Sequence, residues 1–567
     1  MSRGIDPSGA PAYASAEAQV RRRAGTHALV FATVPADDGG PAAALPWEGG
    51  TLLSRIIEQL ESLGVVSVDV VTRPRFAAAL EGVGPRLVVS ESVVDDLRVV
   101  AEEAGQPSAD ALVVAMADVL THREALAGLL ADPRLQTAIL ASGRAHGWPF
   151  TFVTRARRGR LTSASSPFHS VTEPTQRFLG VLKVAPDALA AVADAALRVA
   201  EADVPAFGPG WNENVVGELA RAQGAVAAGR EPDVPDGAVV PPPSAELDAE
   251  LARRRVAAED DVSTRLLVGL VRSNVAIGTA FVRELFWARP LSVADIERAR
   301  EDIKGYDEDK ALLDSAVKGA DGFFTTFLVS PYSRYIARWA ARRGIGPNQV
   351  TAFSMLLGVL AAAGFASGER WGYVAGALLL QAAFTFDCVD GQLARYTRTF
   401  TKFGAWLDSV FDRAKEYVVF AGLAIGASAA GDPAWLLAGA AITLQTARHT
   451  MEFSWAATMH QEIGAIEHPP LSEPRDDAGL RAPAQKAKPT RKTGLRRAVA
   501  AWTALDKNPR ALWVKRIVGF PIGERFAVIS LMAALTTPRS TLIVVLAIGG
   551  LAALYSVTGR VLRSIAR

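Results

Sequence analysis

Short apolar runs alternate with amphipathic stretches over the first third of the chain. The apolar runs cover 27–34, 65–72, 86–90 and 111–116, and amphipathic stretches lie at 52–63 and 123–130. Strands that alternate with helices in this way are typical of a mostly parallel α/β sheet. We therefore predict an α/β domain over 26–206, preceded by a disordered tail over 1–25.

The next section of the chain is richer in proline and in charge. Pro232, Pro235 and the run that begins at Pro241 predict a linker over 207–243. From 244 to 320 the pattern becomes helical and charged, as in the stretch LDAELARRR. We expect a helical connector there, either soluble or lying on a membrane surface.

The last third contains six apolar stretches, each long enough to cross a bilayer, which takes about 20 residues. They lie near 348–367, 371–393, 404–428, 433–456, 518–537 and 540–560. This pattern predicts a membrane domain over 321–567. Positive charges gather on alternate connections, above all over 481–516, where eleven Lys or Arg stand against one acid. The positive-inside rule then places both termini on the cytoplasmic side of the cell membrane.

Composition changes this picture only slightly. Half of the residues are hydrophobic, as expected for a chain that lies partly in lipid. One cysteine excludes an intrachain disulfide and a zinc site made of cysteines. The net charge of +2 says little about partners, and we expect no nucleic acid among them.

An acidic motif joins the second and third predicted spans. The chain reads DCVDGQLAR from Asp387 onwards and GAWLDSVFD up to Asp412. Asp387 and Asp390 are three apart, and Asp408 and Asp412 four apart, so on helices each pair shares a face. If the helices meet, four carboxylates converge at the cytoplasmic edge of the membrane and repel one another unless a cation neutralises them. Oxygen-only ligands suit Mg²⁺ or Mn²⁺, whose usual partners are phosphate oxygens.

Other positions of the motif fit a nucleotide pyrophosphate. Gly391 and Gly404 leave room for a ligand close to the backbone, and Ala394 keeps the same face small. Arg395 offers a fixed fork of donors to phosphate. Asp412 is the candidate base for the proton of an acceptor hydroxyl, while metal draws charge from the pyrophosphate.

These residues match every fixed position of the CDP-alcohol phosphotransferase signature, D-x-x-D-G-x-x-A-R-x8-G-x3-D-x3-D. From 321 to the end, the chain resembles that family. The resemblance implies that the four aspartates bind one or two metal ions, that the two glycines, Ala394 and Arg395 hold the CDP group, and that Asp412 is the general base. It also implies six spans, a homodimer and an active site on the cytoplasmic side. The implied reaction joins a CDP-alcohol donor to an alcohol acceptor and releases CMP.

Arg525 falls inside the apolar run 520–535, where a charge is costly without a partner. Its neighbour Glu524 is one candidate partner. We hypothesise instead that Arg525 binds a phosphate on the acceptor alcohol.

The first domain resembles sugar-nucleotide transferases. Residues 43–53 look like the segment after a phosphate-binding loop, and 113–118 look like the strand that carries a metal-binding aspartate, here Asp118. The fusion resembles the bifunctional inositol-1-phosphate cytidylyltransferase/di-myo-inositol phosphate synthase family, which favours an inositol or inositol-phosphate acceptor. Residues 32–40 lack the glycine spacing and basic residues expected around a triphosphate. We therefore predict that this domain is catalytically degenerate and has a regulatory or docking role.

The expected architecture is multidomain: an α/β nucleotidyltransferase-like domain, a helical connector and a six-span α-helical membrane domain. Two other functions fit parts of the pattern. A transporter usually places polar groups near the middle of the bilayer, whereas these acids gather at one edge. A non-catalytic scaffold predicts losses from the aspartate set, and none is missing. The donor stays open between CDP-diacylglycerol, which would give a phospholipid, and CDP-inositol, which would give an inositol phosphodiester.

Overall fold

The structure, a computed structural model, divides the chain into two compact units. The first, which we call the sheet unit, contains 13–311 and 460–481; the second, the helical unit, contains 312–459 and 482–567. The described residues are 25–83, 86–106, 110–133, 135–143, 152–232, 240–282, 285–304, 307–317, 321–464, 466–477 and 509–566. The predicted tail over 1–25 lies outside them except for its last residue, as does most of the basic stretch 481–516.

The strands are, in chain order, β1 Thr26–Ala32, β2 Pro46–Trp47, β3 Gly50–Thr51, β4 Ser67–Thr72, β5 Arg86–Val89, β6 Ala111–Met116, β7 Leu120–Thr121, β8 Ala138–Ser142, β9 Val153–Arg157, β10 Arg160–Ala164, β11 Ser170–Val171, β12 Gln176–Val184, β13 Gly278–Phe281, β14 Trp287–Ala288 and β15 Arg475–Asp476. The α-helices of the sheet unit are α1 Leu52–Ser62, α2 Pro74–Leu80, α3 Val93–Ala104, α4 Arg123–Leu130, α5 Leu189–Glu201, α6 Pro209–Trp211, α7 Gly217–Ala227, α8 Ala245–Glu259, α9 Val262–Arg272 and α10 Val293–Lys304.

The sheet unit is built on a nine-stranded sheet with the order β10-β9-β12-β6-β1-β4-β5, to which β8 and β13 are added beside β12. The four predicted apolar runs form β1, β4, β5 and β6, which are parallel to one another. The two amphipathic stretches form α1 and α4. The other half of the sheet is largely antiparallel, beginning where β12 pairs with β6. The parallel prediction therefore holds for one half, because an apolar run reports a strand but not its direction.

The structure differs from the predicted boundaries beyond 206 in two places. The expected linker contains α7 and the buried side chains of Trp211 and Val215. The expected helical connector contributes β13, whose Gly278 pairs with Ala138 of β8, so most of it belongs to the sheet unit. The prolines that indicated a linker lie after α7, so they mark only the end of the predicted segment, and a strand of four residues is too short to show a period of two.

A segment that follows the fourth long helix of the helical unit also belongs to the sheet unit. Its strand β15 pairs in parallel with β11. Asp476 is 1% exposed and lies 4.0 Å from Nε of Arg272, and Nε2 of His169 lies 2.8 Å from the carbonyl oxygen of Leu471. The segment thus supplies partners for buried polar groups of the sheet unit.

The helical unit contains α11 Glu308–Ala316, α12 Ser330–Arg342, α13 Pro347–Ala366, α14 Arg370–Tyr396, α15 Lys402–Ala429, α16 Trp435–Gly464, α17 Pro509–Val518, α18 Ile522–Leu535 and α19 Pro538–Ala566. Six of these helices, α13 to α16, α18 and α19, coincide with the predicted apolar stretches. Among the described residues, α13, α14 and the part of α19 over Pro538–Val561 are long and apolar enough to cross a membrane. The helix α18 is shorter than predicted because Pro521 and Pro538 border it.

Helices of this unit pack closely through small residues. A Cβ atom on Gly426 of α15 would lie 1.9 Å from the carbonyl oxygen of Phe365 on α13, so the two backbones meet without a side chain between them. Around this contact the phenyl rings of Phe365, Phe384, Phe420 and Phe526 are buried in one apolar core. The core fixes the positions of α13, α14, α15 and α18.

Candidate metal and nucleotide site

The turn between α14 and α15 brings the two acidic pairs together. Arg398 adopts a left-handed φ of 56° in this turn, and the hydroxyl of Thr401 accepts a hydrogen bond of 2.8 Å from the backbone N–H of Gly404. This side chain caps the first turn of α15 and fixes where the helix begins. The acids of the motif therefore lie in the last turns of α14 and the first turns of α15.

Three of the four predicted aspartates form one group. Carboxylate oxygens of Asp387, Asp408 and Asp412 lie within 4.8 Å of one another. Oxygen atoms at this separation can share one divalent ion, since Mg²⁺ and Ca²⁺ lie about 2.0–2.6 Å from each oxygen that binds them. Asp390 lies outside this group: it is 4% exposed, and its carboxylate accepts a hydrogen bond of 2.6 Å from the hydroxyl of Thr351 on α13.

A lysine that the sequence analysis did not consider lies against the acidic group. The ammonium of Lys415 donates to Asp387, lies 3.3 Å from a carboxylate oxygen of Asp412, and donates to the hydroxyl of Ser354 over 3.0 Å. Its position three residues after Asp412, on the same helix face, was the available signal.

The residues predicted to hold the CDP group surround the turn. A Cβ atom on Gly404 would lie 2.7 Å from the side-chain oxygen of Asn348. The space that this glycine leaves is therefore occupied by the Asn348 side chain. A Cβ atom on Gly391 would lie 3.2 Å from the guanidinium of Arg395, whose Nε donates to the carbonyl of Ala316. Ala394, on the same turn of α14, is partly buried.

A cavity of 410 Å³ adjoins the acidic group, and Asp412 belongs to its wall. The helices α15, α16 and α18 and the end of α17 form it. Its wall holds six basic side chains and four acidic ones: Arg413, Arg448, His449, Lys515, Arg516 and Arg525 against Asp321, Asp412, Glu416 and Glu452. The excess of basic groups favours an anionic ligand such as a phosphate ester.

Arg525 is held by a partner that the sequence did not reveal. Its guanidinium lies 2.5 Å and 2.7 Å from Oε1 of Glu416 on α15, and it also donates to the carbonyl of Phe520. The alternative partner Glu524 instead accepts a hydrogen bond from the backbone N–H of Phe324. Adjacent residues of a helix point in different directions, which is why Glu524 does not pair with Arg525. Arg525 still borders the cavity.

Asp118 of the sheet unit is enclosed by an arginine. Arg289 donates to both of its oxygens over 2.7 and 2.8 Å and to Asp261 over 2.6 Å. Burial opposes the charge of Arg289, but the two carboxylates outweigh it and raise the pKa of the guanidinium. Asp118 is 2% exposed, and the cavity beside it measures 30 Å³.

Comparison with known proteins identifies relatives of this chain. The family model of CDP-alcohol phosphatidyltransferase matches 345–468. The bifunctional IPC transferase and DIPP synthase of Aquifex aeolicus is 31% identical over 162 residues, which is 28% of this chain and 35% of that protein. The archaetidylinositol phosphate synthase of Pyrococcus horikoshii is 33% identical over 132 residues, 23% of this chain and 68% of that one. The phosphatidylinositol phosphate synthase of Streptomyces avermitilis is 32% identical over 123 residues, 22% and 46% of the two chains. The chain thus spans about a third of the bifunctional relative's length.

Two solved structures of nucleotidyltransferases are also similar. The inositol-1-phosphate CTP transferase of T. maritima matches with a TM-score of 0.31 and 12% identity over 49% of this chain and 96% of that one. The CTP:phosphocholine cytidylyltransferase of Streptococcus pneumoniae matches with a TM-score of 0.29 and 11% identity over 49% and 99%.

Proposed function

The chain is an enzyme of the CDP-alcohol phosphatidyltransferase family, and we propose that it transfers a substituted phosphate group from a CDP-alcohol to an acceptor alcohol. The observation that carries the proposal is the group formed by Asp387, Asp408 and Asp412 beside a basic cavity. The family assignment favours this function over a transporter or a non-catalytic scaffold.

In the proposed reaction, Asp387, Asp408 and Asp412, with Asp390 next to them, would hold Mg²⁺ or Mn²⁺. The bound metal supplies positive charge that stabilises the pyrophosphate as CMP leaves. The carboxylate of Asp412 takes the proton of the acceptor hydroxyl, a new oxygen–phosphorus bond forms, and the bond to the CMP oxygen breaks. Asp412 suits this role because it belongs both to the acidic group and to the cavity wall.

We propose that the acceptor is an inositol phosphate bound in this cavity. The six basic side chains of the wall outnumber its four acids, and this excess favours a phosphate ester. Two relatives are named as synthases of an inositol phosphate lipid, one archaeal and one bacterial. Because bifunctional relatives are also among the matches, we retain CDP-inositol as a second candidate donor beside CDP-diacylglycerol.

We further propose that the helical unit crosses the cell membrane six times, with both termini and the site on the cytoplasmic side, and works as a homodimer. Within the described part of the unit, three helices have the length and composition of spans, and three others coincide with the remaining apolar stretches. The alternation of positive charge along the sequence supports the orientation.

Purified protein in detergent tests the reaction. It is incubated with CDP-diacylglycerol or CDP-inositol, with Mg²⁺ or Mn²⁺, and with inositol or inositol 1-phosphate, and CMP release is measured. We expect turnover with the phosphorylated acceptor and a loss of about a hundredfold or more in Asp412→Asn, as for other general bases. Asp432→Asn, which changes an exposed aspartate after α15, is the matched control. Full activity of Asp412→Asn would refute the assignment of the base.

For the sheet unit we propose a non-catalytic role. Asp118, the residue that resembles a metal ligand, is already paired with Arg289, which also binds Asp261. A metal–triphosphate complex would have to displace this buried ion pair, which is costly. Full-length Asp412→Asn protein, given CTP and inositol 1-phosphate, is expected to form no CDP-inositol. Detectable product would show that the sheet unit is a working cytidylyltransferase.

A further inference from the structure

Lys415 occupies a place in α15 that is built for it. The residue is fully buried, with 0% of its surface exposed. A Cβ atom on Gly358 of α13 would lie 2.8 Å from the side-chain Cγ of Lys415, so the missing side chain of that glycine makes room for the lysine stem. The hydroxyl of Ser354, one turn earlier on α13, accepts from its ammonium. Two small residues of α13 thus direct the ammonium toward the acidic group.

The ammonium uses the same carboxylates that would bind metal. It donates to Asp387 and lies 3.3 Å from Asp412, and both of these residues belong to the three-membered group. Counted as ionised, the three aspartates of the group carry three negative charges and Lys415 carries one positive charge, which leaves a net charge of −2. A divalent cation on these oxygens must share them with a positive charge a few ångströms away, and the two repel one another.

We propose that Lys415 is a positioning residue that weakens the binding of divalent metal to the enzyme alone, so that metal binds tightly only together with the pyrophosphate of the CDP-alcohol. The negative charge of the pyrophosphate offsets the repulsion between ammonium and metal. Lys415 also holds Asp387 and Asp412 at a fixed separation. This inference rests on the proposed metal site.

Mn²⁺ binding to protein in detergent tests it, with free Mn²⁺ measured by electron paramagnetic resonance in the presence and absence of CDP. The samples are wild type, Lys415→Met, Lys415→Gln and the control Lys402→Met, which removes a lysine from the exposed first position of the same helix. We expect Lys415→Met and Lys415→Gln to bind Mn²⁺ about tenfold tighter or more than wild type without CDP, because the repulsion lost is that of a buried charge, which is screened less than in water. The gain in affinity on adding CDP should shrink in these variants and stay unchanged in Lys402→Met.

Unfolding temperatures separate this role from simple packing. In a chelator, Lys415→Met should unfold at a lower temperature than wild type, because the carboxylates of the acidic group repel one another. Added Mn²⁺ should remove this difference in unfolding temperature. Equal or weaker Mn²⁺ binding in both Lys415 variants, or a loss of stability that Mn²⁺ does not reduce, would overturn the inference. The glutamine variant gives the same comparison if the methionine variant is not recovered folded. A wild-type protein that binds no Mn²⁺, even with CDP, would overturn the metal site itself.

Discussion

Replacement of Arg525 by methionine is expected to weaken both the folded helical unit and acceptor binding. Arg525 is 5% exposed, and its partner Glu416 is 1% exposed. Two guanidinium nitrogens lie 2.5 Å and 2.7 Å from one carboxylate oxygen. Because neither group has access to much water, the methionine variant leaves a buried carboxylate without its main counter-charge.

The two effects have different sizes and different remedies. Removing one member of a buried ion pair costs about 3–5 kcal/mol of unfolding free energy, whereas replacing both members by neutral groups of similar volume is often close to neutral. Loss of a charge-assisted hydrogen bond to phosphate costs about 1.5–3 kcal/mol, or roughly 10- to 150-fold in acceptor affinity. Arg525→Met combined with Glu416→Gln should therefore recover stability but not affinity.

The assay compares wild type, the two single variants and the double variant. Thermal unfolding in detergent reports stability, and CMP release at varied inositol phosphate reports the KM for the acceptor. We expect both single variants to be destabilised and the double variant to approach wild type, with KM raised wherever Arg525 is missing. A double variant that recovers the KM as well would show that Arg525 acts through structure alone. Unchanged stability of Arg525→Met would refute the reasoning about the buried pair.

Three further predictions concern the two units. Burial lowers the pKa of His169 from 6.5 to about 4, so the imidazole of the unfolded chain takes up a proton first as the pH falls. Between pH 7 and 4.5 the sheet unit should therefore lose about 2.5 kcal/mol of unfolding free energy. The His169→Gln variant should lose less over the same range, as measured by calorimetry. Asp476→Asn removes a carboxylate beside a buried guanidinium and should cost about 3 kcal/mol in the same experiment, unlike Asp477→Asn in the same segment. Gly426→Leu should prevent the contact between α13 and α15 and give aggregated protein on gel filtration in detergent, whereas Gly439→Leu, with nothing within 4 Å of its added Cβ, should remain monodisperse.

The local pattern of the sequence was sufficient for the elements that carry the site. Apolar runs located β1, β4, β5 and β6, and apolar stretches located the long helices. Spacings of three and four placed the aspartates in pairs on single helix faces, and the structure brings Asp387 to Asp408 and Asp412. Such features depend on residues within a few positions of one another, and the period of a helix or strand is enough to relate them.

Contacts between distant parts of the chain were not predictable in the same way. The hydrogen bond from Thr351 to Asp390 and the pair formed by Glu416 and Arg525 join residues that are 39 and 109 positions apart. The sequence around these four residues does not indicate that α13 packs on α14 or that α15 contacts α18. The sheet unit shows the same limit, since Asp118 meets Arg289 across 171 positions.

One turn of α15 connects the two sides of the proposed reaction. With 3.6 residues per turn, Lys415 and Glu416 point about 100° apart, the first toward the acidic group and the second toward Arg525 in the cavity wall. Asp412 precedes them by three and four residues, so it shares a helix face with each. It is therefore the one aspartate of the described group that also borders the cavity. A base that takes a proton from a cavity-bound alcohol beside a metal-bound pyrophosphate has to occupy such a boundary, and this supports Asp412 over its three neighbours.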